Sequence, residues 1–305
     1  MAFSSSDTAF EGFRLTREKP VAVAIWAGVQ LAATVIFAAL GATLLSGELQ
    51  AIQTYSASPT PDPAGAAAIM GALAKICAVL LVPAVLLFAT TTCAVYRAVL
   101  RPQEKAFGYV RLGGDELRQF LICLVFVAML LAAMMVLVFV LTFVSAGIGM
   151  LASAPAESMI ALAVPLSQLA WIVLFVWLAV RMSLTGPMTL ARGRLSLRDG
   201  WMLTRGHFWR LLGCYFIAAV LSLLVALLGL AIVMAGAMLI GGGMAGIGEV
   251  MNPDTTSLAA RFTPVAIFVM AASAIFNALQ NTIVYAPAAV AYAELSGEGT
   301  VDTFA

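Results

Sequence analysis

Six long apolar runs separated by short polar stretches organise the chain: Val21–Ser46, Ala64–Tyr96, Phe120–Ala156, Ser158–Val180, Leu211–Gly248 and Phe262–Ala293. A helix needs roughly 20 apolar residues to cross a hydrocarbon layer of about 30 Å, and every run is at least that long. Five runs hold no charged residue, and the second holds only Lys75. The pattern predicts an all-α fold: a polytopic membrane protein built as a six-transmembrane-helix bundle, with short interfacial amphipathic helices on the cytoplasmic side. The spans are placed at about 21–46, 66–96, 120–148, 159–180, 211–240 and 263–292, inside a membrane domain covering 20–293. The third and fifth runs exceed what a bilayer needs, so they tilt, bend or project. Gly147 and Gly149 in one, and Gly241, Gly242 and Gly243 in the other, are the expected places for the helix to loosen.

Composition agrees with a bilayer as the main solvent. Of 305 residues, 63% are hydrophobic and 10% charged, with a mean hydropathy of +1.03. A soluble chain carries about 25% charged residues, so a water-soluble fold could not hide this much apolar surface. Cys77, Cys93, Cys123 and Cys214 all lie inside apolar runs, which predicts small buried hydrophobes rather than a disulfide framework. The first apolar run is too long for the core of a secretory signal and reads as a retained first helix.

The loops orient the bundle. Segments 1–19, 97–118, 181–210 and 294–305 carry 3, 5, 6 and 0 Lys and Arg residues, 14 of the 16 in the chain. The positive-inside rule therefore puts these segments and both termini in the cytoplasm, and the expected location is the bacterial inner membrane. Only Lys75 and Arg261 fall on the other half. The C-terminal segment 294–305 is a short acidic tail. Ser58–Pro63, with three prolines, predicts an extended turn before the second span.

The two large inner loops echo each other. Each has an Arg at the helix exit (Arg97, Arg181), a Pro soon after (Pro102, Pro187), and a stretch of acidic and basic residues leading into the next span. A duplicated helix–interfacial helix–helix unit and a shared positive-inside composition both account for this. Ser196–Arg205 predicts a short helix in the headgroup plane, with Ser196 at its N-cap. Tyr109, Trp201 and Trp209 fit an interfacial aromatic belt. Phe3, Phe10, Phe13 and Leu15, interleaved with charges, read either as another surface-lying segment in 1–19 or as a partly disordered tail.

Within the second inner loop, the run LSLRDGWMLTRGHFWRLLGCYFI at 195–217 resembles the signature of an uncharacterised bacterial six-helix membrane family. That family is similar to the membrane domain fused to some glycerophosphodiester phosphodiesterases. The resemblance implies a fold and not an activity. The phosphodiesterase domain of the fused members bears His and acidic metal ligands, whereas this chain has one histidine.

Candidate chemistry is sparse. His207 stands alone, so no paired-His metal site is expected, and its neighbours Arg205 and Arg210 disfavour an imidazolium. No cofactor and no catalytic residue is expected. The basic inner face is the main functional hint: Arg97, Arg101, Arg111, Arg118, Arg181, Arg192, Arg194, Arg198, Arg205 and Arg210 are candidate contacts for anionic lipid headgroups, each worth about 1 kcal/mol near the surface. Inside the membrane, Asn277, Gln280 and Asn281 share one helix face. They are expected either to bond across helices, with Gln30 and Gln168 as partners, or to line a polar path. Lys75, the one charge within a span, either snorkels outward or meets Glu249 or Glu157. The function expected first is a non-enzymatic, lipid-associated bundle whose partners are membrane lipids. A scaffold for another membrane protein, or for a second copy, and a small-solute transporter are the alternatives. Nucleic acid is not an expected partner.

Overall fold

Pro20 opens the first long helix, where its missing N–H costs nothing and its fixed φ suits the first turn. In the computed structural model, which describes residues 5–56, 63–152, 156–253 and 261–297, this helix is the second of eleven α-helices among the described residues. In order they are α1 (Ser5–Glu18), α2 (Pro20–Leu44), α3 (Ser46–Ser56), α4 (Pro63–Leu100), α5 (Gly114–Ala152), α6 (Ala156–Met182), α7 (Thr185–Arg192), α8 (Leu197–Leu203), α9 (Phe208–Ile240), α10 (Met244–Met251) and α11 (Pro264–Ser296). A 3-10 turn, Ala106–Tyr109, lies between α4 and α5. No strand occurs among the described residues. Six helices, α2, α4, α5, α6, α9 and α11, are long and apolar enough to cross a membrane.

These six overlap the runs read from sequence, and several extend further. α5 continues through Gly147 and Gly149 without a break. In the fifth run the glycines do end the helix: Gly242 and Gly243 adopt φ of +72° and +89°, and α10 turns back against α9. Pro83, Pro165 and Pro287 sit inside helices. The Ser58–Pro63 turn lies outside the described residues, apart from Pro63 at the start of α4.

Along most of their length the spans are apolar all round. Leu131, Val136, Phe139, Leu223 and Leu227 are each more than half exposed, as expected of helices whose solvent is lipid. Burial concentrates instead at the end carrying the two basic loops. There Trp26, Ala94, Val95 and Ala286 form one cluster, and Leu184, Met188, Leu211, Ala291 and Tyr292 form another. α11 is the centre: α1, α2, α4 and α9 all pack on it. α5 packs on α4, α6 packs on α5, and α6 touches α9 over a short stretch.

Two close approaches fix the loop end. Gly12 of α1 sits so near the backbone at Thr282 and Ile283 that a side chain there would collide with it. Residues 5–18 thus form a helix docked on α11 and α9, with Phe10 and Phe13 exposed on its other face, and Phe3 lies outside the described residues. Gly186 of α7 faces the Tyr96 ring, where an added methyl would lie 2.8 Å away. This lets α7 tuck between α4 and α5, with Thr185 through Leu190 buried.

Candidate functional site

The arginines of the first basic loop are held by its own acids, and one of them is buried. Arg97, at the exit of α4, is 1% exposed. Its guanidinium pairs with Glu116 at 2.5 Å and Asp115 at 3.4 Å and donates to the Tyr109 carbonyl at 2.9 Å. Arg118 meets Asp115 at 2.7 Å, and Arg111 meets Glu104 at 2.9 Å. Arg101 lies 3.6 Å from Asp115 and donates to the Leu190 carbonyl at 2.6 Å, which ties the first loop to α7 of the second. The reason is local charge balance: Glu104, Asp115 and Glu116 stand among Arg97, Arg101, Arg111 and Arg118. A cavity of about 330 Å³ opens here, with three guanidinium groups and the Asp115 and Glu116 carboxylates in its wall. An anion entering it would compete with carboxylates already in place. Arg97 is a buried structural cation, and its side chain is not available to a headgroup.

The turn that receives Arg97 is not among the elements that the apolar pattern predicts. Phe107, Gly108 and Tyr109 have φ of +48°, +62° and +67°, a left-handed run that is unfavourable for the two aromatic residues. Several contacts hold it: Trp26 donates to the Gly108 carbonyl at 2.7 Å, and the Tyr109 hydroxyl donates to the Pro102 carbonyl at 3.1 Å. The Lys19 ammonium sits 4.9 Å from the Tyr109 ring centroid and donates to the Ala98 carbonyl at 2.6 Å. Burial holds the Lys19 amine below its usual pKa. Tyr109, expected in an interfacial belt, is therefore core, at 3% exposure. A lone glycine between two aromatics was the only signal for the turn.

The second basic loop is different. Its single carboxylate, Asp199, takes both Arg192 at 3.1 Å and Arg194 at 3.5 Å. Arg181 repeats the role of Arg97. It reaches into its own loop to the Trp201 carbonyl at 3.5 Å and the Thr204 hydroxyl at 3.1 Å, and it stacks on the Trp201 ring at 4.8 Å. Trp177 of α6 meets the same ring edge-on at 5.4 Å. α8 is thereby fixed to α6, while Arg194, Arg198, Arg205, Arg210, Met202 and Trp209 are exposed. Ser196 precedes α8 as expected, but its side chain makes no cap bond, and its N–H donates to the Thr189 hydroxyl. The two loops share an exit arginine bonded to an aromatic carbonyl. Their helices differ, with a 3-10 turn in one and α7 and α8 in the other.

The remaining candidates lie elsewhere. Lys75 pairs with Glu48 of α3, while the Glu157 side chain lies outside the described residues. That contact holds the Glu48 carboxyl below its usual pKa. Glu249 instead accepts from the Thr263 hydroxyl. Cys77 is exposed, so the small-buried-hydrophobe reading holds for Cys93 and Cys214 and fails for it. On α11, Asn277 is exposed and Gln280 and Asn281 are half-buried. Their side chains make no hydrogen bond among the described residues, so the expected bonds to Gln30 and Gln168 are not formed.

Comparison of the chain with protein-family models, with curated proteins and with solved structures found no match to any of them.

Proposed function

We propose that the protein is a non-enzymatic, lipid-associated bundle of the bacterial inner membrane, with both termini in the cytoplasm. On this reading it holds anionic headgroups through its second basic loop. The supporting observation is the pairing of exposed cations with exposed apolar side chains around α8. Arg194, Arg198 and Arg205 stand beside Met202, 50% exposed, and Trp209, 79% exposed. In water such apolar exposure is unfavourable. At the headgroup boundary a Trp or Met settles among acyl carbons while neighbouring guanidinium groups meet phosphates. The first loop contributes less, because its own acids occupy its arginines. α8 then serves as the cytoplasmic interfacial helix, and kinship to the membrane domain of the glycerophosphodiester phosphodiesterase family is proposed for the fold alone.

The test compares the protein in nanodiscs of phosphatidylglycerol and of phosphatidylcholine, using spin-labelled lipids of each type to count immobilised neighbours. The reading expects an excess of immobilised phosphatidylglycerol that falls with salt and with Arg198→Gln and Arg205→Gln. Equal counts for the two lipids would remove it.

A further inference from the structure

The neighbours of α11 divide its surface into sides. Phe268 and Phe276 face Gly236 and Gly229 of α9, Tyr285 meets Phe88 of α4 edge-on at 5.4 Å, and Thr282 and Ile283 touch α1. At about 100° per residue, Ser273, Asn277, Gln280 and Asn281 fall together between the α4 side and the α9 side, away from α1 and α2. α5 and α6 occupy that direction, because α5 packs on α4 and α6 reaches α9, yet neither packs extensively on α11 among the described residues. α7, tucked between α4 and α5 and touching α11, closes the space at the loop end. The result is a groove walled by α4, α5, α6, α9 and α11, with α7 as its floor. One wall carries a stripe of three amides and a hydroxyl. Asn277 is exposed, the other three are half-buried, and none of the four side chains has a hydrogen-bond partner among the described residues.

We infer that this groove is a binding site for the neutral, hydrogen-bonding part of a membrane-soluble amphiphile, an ester or hydroxyl-bearing glycerolipid backbone. Unbonded amides at bilayer depth are unfavourable, and a ligand with ester carbonyls and hydroxyls satisfies both their donors and their acceptors. The stripe holds no charged group to compensate an ion desolvated at bilayer depth, so it favours a neutral moiety over a phosphate. The other faces of the groove are apolar enough for acyl chains, and the short contact between α6 and α9 leaves a way in from the bilayer. This site is independent of the headgroup contacts at α8.

The experiment uses the full chain in vesicles of phosphatidylethanolamine and phosphatidylglycerol containing a diazirine-bearing diacylglycerol, with the photolabel mapped by mass spectrometry. Label concentrated on 273–284 of α11 is the expected result, falling about fivefold for each hydrogen bond lost in Asn277→Leu and Asn281→Leu. Arg198→Gln should leave it unchanged. Both leucines are compatible with a lipid-facing helix, and retained thermal stability in detergent confirms that the variants fold. Label spread evenly over Leu223 and Leu227 on the far side of α9, or insensitive to the leucine substitutions, would overturn the inference. So would reaction of Asn277→Cys with a membrane-impermeant maleimide, which marks a water-filled path, or a disulfide-linked dimer through that cysteine.

Discussion

Arg97 and Glu116 form an ion pair at 2.5 Å in which both side chains are 2% exposed. The pair joins the end of α4 to the first turn of α5, and the same guanidinium fixes the left-handed turn at Tyr109. Removing one member leaves an uncompensated buried charge, which costs about 3–5 kcal/mol. Arg97→Ala and Glu116→Ala are therefore expected to lower thermal stability in detergent sharply, whereas Arg198→Ala, on the exposed side of α8, should leave it nearly unchanged. Differential scanning fluorimetry of the three variants checks this contrast.

Gly12 is the contact that docks α1. A leucine there cannot fit against the Thr282 and Ile283 backbone, and overpacking at such a site costs about 1–3 kcal/mol. Gly12→Leu should release α1 and expose the Arg14 and Arg17 peptide bonds to trypsin, leaving the six long helices intact by circular dichroism. Unchanged protease resistance would contradict the docking.

The docking of α1 should also depend on pH. Burial raises the pKa of Glu11, with Glu18 and Glu294 adding to the rise and Arg14 and Lys19 opposing it. A carboxyl whose folded pKa lies above its unfolded value binds its proton more tightly when docked. The docked state is then favoured in acid and weakened as pH rises from the ordinary Glu value through the raised one. Proteolysis of the N-terminus should accelerate across that window, and Glu11→Gln should flatten the profile at the slow, acidic rate.

Orientation has its own readout. A single cysteine replacing Arg194 should react with an impermeant thiol reagent only from the cytoplasmic side of inverted vesicles, and one replacing Glu48 only from the opposite side. Reaction of both from one side would reject the six-span topology.

The sequence carries the spans because a run of apolar residues long enough to cross a bilayer has few other uses, and the six helices fall where the runs do. It could not tell Arg97 from Arg198. Both are arginines in basic loops, and only the tertiary approach of α4 to the first turn of α5 buries one of them. Tyr109 and Trp209 looked alike as belt residues for the same reason, until the left-handed turn folded Tyr109 inward beneath Lys19. The shared face of Asn277, Gln280 and Asn281 followed from helical periodicity, but the absence of a partner depends on where α5 and α6 stand, which no local pattern encodes. Lys75 found Glu48 because α3 folds back along α4, an element that its weak amphipathic pattern did not announce.

The central claim, that anionic lipid is held at the second basic loop, is tested most directly by native mass spectrometry of the protein released gently from membranes. Retained phosphatidylglycerol that drops about fivefold for each of Arg198→Gln and Arg205→Gln, and not for Arg111→Gln, is the predicted result. Protein that emerges free of phospholipid, or with the same phospholipid in every variant, would contradict the claim.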